Sequence, residues 1–272
     1  MREPDEDPGR MALTWLGHGT VVAHGQSATV VIDPLLRDRL LFLRRYAPLG
    51  PAAQPTGQAV LLTHAHHDHL DIPSLRRLGR RVPKYAPSGA DRVLVQHELG
   101  PVYRVTAGDM FEVGDIAVEV VPAIHSGGRF RRRAGDEAVG YVLARSALRV
   151  YVAGDTGLFE GMVDIGPVDV AVLPVGGWWS ALGASHLNSA GAVAAANLLG
   201  ARVLVPIHLS TFHPRYPSQS MLSSWAETSR VLTEQLRRYA PDVELRMLQP
   251  GETATFSTGP VPRGGPGPAS VS

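Results

Sequence analysis

The chain has 272 residues, 44% hydrophobic and 19% charged, with a formal net charge of +1 and no cysteine. That length suits one large domain or two fused halves around a sizeable core. Disulfides and thiolate metal ligands are excluded, no global field favours nucleic acid, and no apolar run approaches the roughly 20 residues that cross a bilayer.

Residues 1–10 are acidic and carry Pro and Gly without an apolar stretch. They read as a disordered N-terminus rather than a secretory signal, which favours a cytoplasmic location. Short β-rich runs at 12–16, 20–23 and 29–32, separated by Gly-bearing turns, predict an antiparallel start. The segment 35–46, Leu-Leu-Arg-Asp-Arg-Leu-Leu-Phe-Leu-Arg-Arg-Tyr, is amphipathic and basic. It fits burial against the sheets, a wall of an apolar substrate pocket, or peripheral contact with a membrane surface.

The apolar run 59–63 predicts a buried strand, and a helix follows at 71–78 with Asp71 as cap and Pro73 in its first turn. Strand 82–85, helix 90–98 and strand 102–105 come next. A second β-rich block spans 110–113, 116–121, 139–144 and 148–153. Strands 170–174, 203–207 and 244–247 then alternate with helices 189–199 and 220–239. The order, β-rich and then mixed, occurs twice. It predicts an α/β fold of two similar β-sheets packed face to face with helices outside. The Gly-, Pro- and Ser-rich stretch 258–272 reads as a disordered tail, leaving a single domain over 11–257.

The chemistry starts at His64-Ala65-His66-His67-Asp68-His69, directly after the apolar run. Imidazole nitrogens and a carboxylate on a rigid strand end are the ligands of zinc, manganese or iron. The alternation puts His64 and His66 on one side and Asp68 and His69 a step further on, so one segment can begin two adjacent metal sites. A solvated surface cluster is the bland alternative, but such clusters rarely follow a buried strand. His125, Asp155 and His208 each stand just past an apolar run, where side chains from several strands meet in one crevice.

With these residues in place, the chain resembles the metallo-β-lactamase superfamily from about Leu13 to Phe256. The resemblance implies an αββα sandwich. It implies that His64, His66 and His125 hold one metal, that Asp68, His69 and His208 hold a second, and that Asp155 bridges both. The segments Leu13-Thr14-Trp15-Leu16-Gly17-His18-Gly19-Thr20, Asp68-His69-Leu70-Asp71, Ala153-Gly154-Asp155-Thr156-Gly157 and Ser185-His186-Leu187-Asn188-Ser189 are similar to a particular branch. That branch contains N-acyl-phosphatidylethanolamine phospholipase D and ascorbate-6-phosphate lactonase-like hydrolases. Two local differences, Ser126-Gly127-Gly128-Arg129 without a tryptophan and Ser189 in place of a proline, bear on the substrate rather than on the metals.

Two divalent ions about 3.5–4 Å apart lower the pKa of a water between them, so the implied activity is hydrolysis by a bridging hydroxide. A phosphodiester or related phosphate-bearing substrate, small or lipid-like, is the leading expectation. A lactone or other carboxylic ester is the alternative, and a nuclease or an inactive metal-binding protein ranks lower. Zinc is the expected metal, with manganese or iron also suitable. His186 is expected near the substrate as a binding residue or proton donor, against an ordinary role at a helix start. His18 supports either the metal ligands or merely its turn. His67 is expected to face solvent, and His24, His97 and His213 to be structural. Arg129, Arg131, Arg132 and Arg133 suit a phosphate if their loop reaches the pocket, although charge runs usually just face water. Trp178 and Trp179 are candidate pocket residues. No nucleic-acid partner is expected, and nothing in the pattern sets the oligomeric state.

Overall fold

The computed structural model describes residues 9–46, 49, 55–129, 135–176, 185–209, 211–216 and 224–258. The first sheet has the order β17-β1-β2-β3-β6-β7-β8, from strands Met11–Gly17 (β1), Thr20–His24 (β2), Thr29–Ile32 (β3), Ala59–Leu61 (β6), Lys84–Ala86 (β7), Val102–Arg104 (β8) and Glu252–Phe256 (β17). The second has the order β16-β14-β13-β12-β11-β10-β9. Its strands are Met110–Val113 (β9), Ile116–Pro122 (β10), Val139–Arg145 (β11), Leu148–Val152 (β12), Val170–Pro174 (β13), Val203–Ile207 (β14) and Glu244–Leu245 (β16). A small third sheet joins Arg39–Leu40 (β4), Leu43–Arg45 (β5) and Phe212–Pro214 (β15).

Each large sheet is antiparallel at one side and parallel at the other, so the two halves mirror each other in plan. Period-2 alternation sorts their side chains. Met11, Leu13, Trp15, Val30, Ile32, Ala59 and Leu61 enter the core shared by the two sheets. Their neighbours Leu16, Val31, Val60 and Leu62 turn outward against helices Ile72–Leu78 (α1) and Ala90–Gln96 (α2). On the far side, Ser189–Leu198 (α4) and Ser224–Tyr239 (α5) cover the second sheet, with the short Met162–Ile165 (α3) beside them. Strands β13 and β14, covered on both faces, are buried along their whole length, as parallel strands must be. The expected αββα layering is therefore what the chain adopts. Among the described residues no helix is long and apolar enough to cross a membrane.

Asp71 caps α1 by accepting the Ser74 amide at 3.0 Å, and Pro73 lies in the first turn. The strand expected at 82–85 starts later, at Lys84, because Val82 is still bound to Gly79 in the turn that ends α1. Strands β4, β5, β15 and β17 and helix α3 have no counterpart in the sequence reading. The expected helix over 220–239 is seen from Ser224, with 217–223 outside the described residues, as are 1–8 and 259–272 of the two terminal segments read as disordered.

Candidate metal centre

Every residue singled out at a strand end converges on one edge of the sandwich. His64, His66, Asp68 and His69 follow β6, His125 follows β10, Asp155 follows β12 and His208 follows β14. The backbone there is unusual: His18, Asp33 and His208 take left-handed conformations with φ of 53°, 45° and 63°. Side chains other than glycine visit that region at a cost, and such strain concentrates at functional sites. Gly154 has φ +61°, and a Cβ there would lie 2.6 Å from the Thr63 Cβ. Only glycine lets the Asp155 loop close onto the His64 loop.

Two donor groups result. In the first, His64 Nε2 lies 2.9 Å from His66 Nδ1, and His125 Nε2 lies 3.2 Å from the same atom. In the second, His208 Nε2 lies 3.3 Å from His69 Nε2 and 3.7 Å from Asp68 Oδ2. Asp155 stands between them. Its Oδ2 is 3.9 Å from both His64 and His125 Nε2 and 3.4 Å from His69 Nε2, and its Oδ1 is 3.4 Å from His208 Nε2.

These residues fit divalent ions. Ligands sharing a tetrahedral ion at 2.0–2.1 Å lie about 3.3 Å apart, the spacing found here. Asp155 Oδ1 is buried and accepts no hydrogen bond from the described residues, a cost that an ion would remove. Burial drives His64 well below the usual imidazole range and His125 down to about 4, and it lowers His66 too. Their lone pairs are therefore free for a metal at neutral pH. Asp155 is held well below its ordinary range: burial opposes this, but the attraction of His208 and His69 outweighs it. Asp68 follows the same pattern, through His69 and hydrogen bonds to His18 and His208. His69 is raised despite its burial, because Asp155, Asp33 and Asp68 all face it.

A supporting layer aims these ligands. His69 Nδ1 donates to Asp33 Oδ2 at 2.7 Å, and Thr63 Oγ1 donates to the same oxygen at 2.5 Å. Thr63 Oγ1 also lies 2.9 Å from His64 Nδ1, so Asp33 orients one imidazole directly and another through a hydroxyl. His125 Nδ1 donates to the Ser185 carbonyl at 3.1 Å. His18 Nε2 lies 2.8 Å from Asp68 Oδ2, which favours the supporting role over the turn role. Its own backbone is locked: the amide donates to Thr211 Oγ1 and the carbonyl accepts from Trp15 Nε1 and the His208 amide.

His186 sits half-buried at the rim, its Nε2 3.7 Å from Asp155 Oδ2 and its ring edge-on to His125. Its pKa is raised by the neighbouring Asp155 carboxylate, against some desolvation. Two expectations need correcting. Arg129 does not reach over a pocket: its guanidinium donates to the carbonyls of Ala65 and Leu70 and staples the histidine loop. His67 is half-buried rather than solvent-facing, because the loop packs beside Arg129. His24 and His213 serve structural contacts, His24 to Thr14 and His213 to the Pro214 carbonyl. Arg131, Arg132, Arg133, Trp178 and Trp179 lie outside the described residues. Asp33, Thr63 and Ser185 were missed by sequence reasoning. The stretch from Asp33-Pro34 to Pro51 resembles the phospholipase side of the branch, and Ser185 stands in a segment quoted for the same resemblance, but neither signal assigns these residues a role.

The family model for the beta-lactamase superfamily domain matches residues 28–209. A UPF0173 metal-dependent hydrolase of Methanoregula boonei is 34% identical over 210 residues, covering 74% of this chain and 83% of its own. Another, of Archaeoglobus fulgidus, is 30% identical over 255 residues, 91% of this chain and 100% of its own. Among solved structures, a metallo hydrolase of Ignicoccus hospitalis superposes with a TM-score of 0.66 at 24% identity, covering 92% of this chain and 100% of that one.

Proposed function

The chain belongs to the metallo-β-lactamase superfamily, and from that premise we propose that it is a binuclear metal-dependent hydrolase. Its relatives in Methanoregula and Archaeoglobus carry the name of metal-dependent hydrolases. The observation that carries the binuclear reading is the position of Asp155, with both carboxylate oxygens facing imidazoles of two different donor groups. His64, His66 and His125 would hold one ion, Asp68, His69 and His208 the other, and Asp155 would face both. Nitrogen and oxygen donors of this kind suit zinc first, and manganese or iron as well. Bound ions of this class supply Lewis acidity and bring the pKa of water to about 7.

The chain's own residues do the rest. Asp33, Thr63 and the Ser185 carbonyl fix the imidazole orientations, so little reorganisation is needed when charge develops. His186, on the open side of Asp155, is placed to hold a proton at Nε2 and deliver it to a leaving oxygen. No cysteine is present, and in this reading no serine nucleophile is needed, so the reaction is direct hydrolysis.

The substrate in this reading is a phosphodiester or related phosphate-bearing molecule, small or lipid-like. A lactone or other carboxylic ester is the second reading, and one observation favours it. Arg129, which would have bound a phosphate, is engaged with two backbone carbonyls. The test pairs metal content of the purified protein with hydrolysis of bis(p-nitrophenyl) phosphate and of a simple lactone, before and after chelation. About two ions per chain with chelator-sensitive diester cleavage supports the first reading. Lactone cleavage alone moves the substrate to the second. A protein that binds no divalent ion and stays inactive on reconstitution overturns both.

A further inference from the structure

The small sheet beside the metal centre carries two features that work against its own stability. Arg39 and Arg44 are direct cross-strand partners, and Arg44 faces His213 on the next strand. Both arginines are exposed, and no carboxylate among the described residues lies within ion-pair distance of either. Like charges directly opposite each other destabilise a hairpin. Asp38, next to Arg39 in the chain, accepts the Leu49 amide. At the tip, Leu41 is 79% exposed and Phe42 64% exposed, and Leu41 has φ 52°. Two-residue turns of this hand favour Asn or Gly, and leucine there is strained as well as wet.

The opposite side of the hairpin is anchored firmly. Leu40 and Leu43 are buried, and the buried Arg45 guanidinium donates to the carbonyls of Leu16, Leu35 and Arg37. The hairpin is thus a rigid projection with an apolar tip and a cationic flank. Lipid bilayers with anionic headgroups match that pairing of features.

We propose that the β4–β5 hairpin docks on an anionic lipid surface, with Leu41 and Phe42 entering the headgroup–acyl boundary and Arg39 and Arg44 meeting lipid phosphates. A second copy packed two-fold through this face would set four arginines together. A nucleic acid would match the arginines but leave Leu41 in water. Docking brings the centre near the surface: Arg45 lies over the Phe212 ring, whose edge faces His18 at 5.7 Å between centroids. The tip is three residues from Arg45, roughly 10 Å along the strand. None of this depends on which ester the centre cleaves.

The test is co-sedimentation of the full chain with phosphatidylcholine vesicles, with and without phosphatidylglycerol. Binding is expected with the anionic vesicles, weakening as salt rises. Arg39→Gln and Arg44→Gln should each weaken it about fivefold. The pair Leu41→Ser and Phe42→Ser should weaken it at least about tenfold. Leu41→Asn guards against misfolding, because asparagine tolerates the left-handed backbone: it should melt no lower than the parent yet bind vesicles less. Hydrolysis of a soluble chromogenic ester should stay at the parent rate in all of these variants. Three outcomes would overturn the assignment: a parent left in the supernatant with both vesicle types, a solution dimer dissolved by Leu41→Asn, or oligonucleotide binding lost in Arg39→Gln without any vesicle binding.

Discussion

Replacing Asp33 by asparagine tests whether one buried carboxylate governs both halves of the proposed metal centre. Asp33 is fully buried and its carboxylate accepts three hydrogen bonds: His69 Nδ1 at 2.7 Å, Thr63 Oγ1 at 2.5 Å and the Thr63 amide at 2.8 Å. All three partners are donors, and an amide offers only one accepting atom. Placed at the Oδ2 position, the new NH2 group confronts the His69 N–H and the Thr63 hydroxyl. Placed at the Oδ1 position, it confronts the Thr63 amide. In the first case His69 is driven to the tautomer that carries its proton on Nε2, the atom that faces Asp155 and His208. In either case Thr63 loses a fixed orientation, and with it the partner of His64 Nδ1. Loss of such an outer partner typically costs about tenfold to a hundredfold in metal affinity, which is about 1.4–2.8 kcal/mol. Because the carboxylate reaches His64 as well as His69, both ions should weaken. The assay is titration of the apo-protein with zinc in competition with a chromophoric chelator, with an apo-protein melt run alongside. Two ions bound at parental affinity in Asp33→Asn would refute the reasoning. Weakening of one ion alone would show that the hydroxyl link through Thr63 transmits nothing.

Four further outcomes are expected. His18→Ala should weaken the ion nearest Asp68 about tenfold or more, while His18→Gln, which keeps an N–H donor, should recover part of the loss in the same titration. His186→Ala should leave metal content unchanged and lower kcat about 10²–10⁴-fold; unchanged kcat would return His186 to a structural role. Gly154→Ala should lower the melting temperature and the metal content together, since its Cβ would strike Thr63 in a left-handed backbone. Asp115→Asn should destabilise the fold by about 2 kcal/mol at neutral pH, because Asp115 in the β9–β10 turn accepts the amides of Gln26, Ser27 and Ala28 and the Arg145 guanidinium, tying one sheet to the other. Burial acts to raise the Asp115 pKa, but these donors outweigh it and hold it well below the ordinary 3.8. Its contribution is therefore present above about pH 4 and lost as pH falls below that. Denaturant midpoints of parent and variant should converge in acid, and a constant gap would contradict the assignment.

The candidate ligand residues, which the fold brings together, were legible because each carries its own local signal: an apolar run that ends in histidine or aspartate marks a strand opening on a crevice. Both sheets were legible for the same reason, since period-2 alternation and fully apolar runs are written into β1, β10, β13 and β14. What could not be read is whatever depends on distant partners. Asp33 meets a histidine 36 positions away, and the Ser185 carbonyl meets one 60 positions away. The hairpin at 39–45 hid inside an amphipathic stretch whose pattern fits several backbones, and its left-handed leucine breaks the rule that would have marked the turn. Strand β17 carries only Ala254 and Phe256 as buried residues among exposed polar ones, too weak a pattern to announce a strand.

That strand also has a consequence for synthesis. Met11 pairs with Phe256 and Trp15 with Glu252, so β1 gains its outer neighbour only after every candidate ligand has been translated. While the chain emerges from the ribosome, β1 presents a bare row of amides and carbonyls on one side, the kind of edge that invites pairing between nascent chains. If the candidate ligands take up an ion before the sheet is closed, rapid uptake would shorten the time during which that edge stands open.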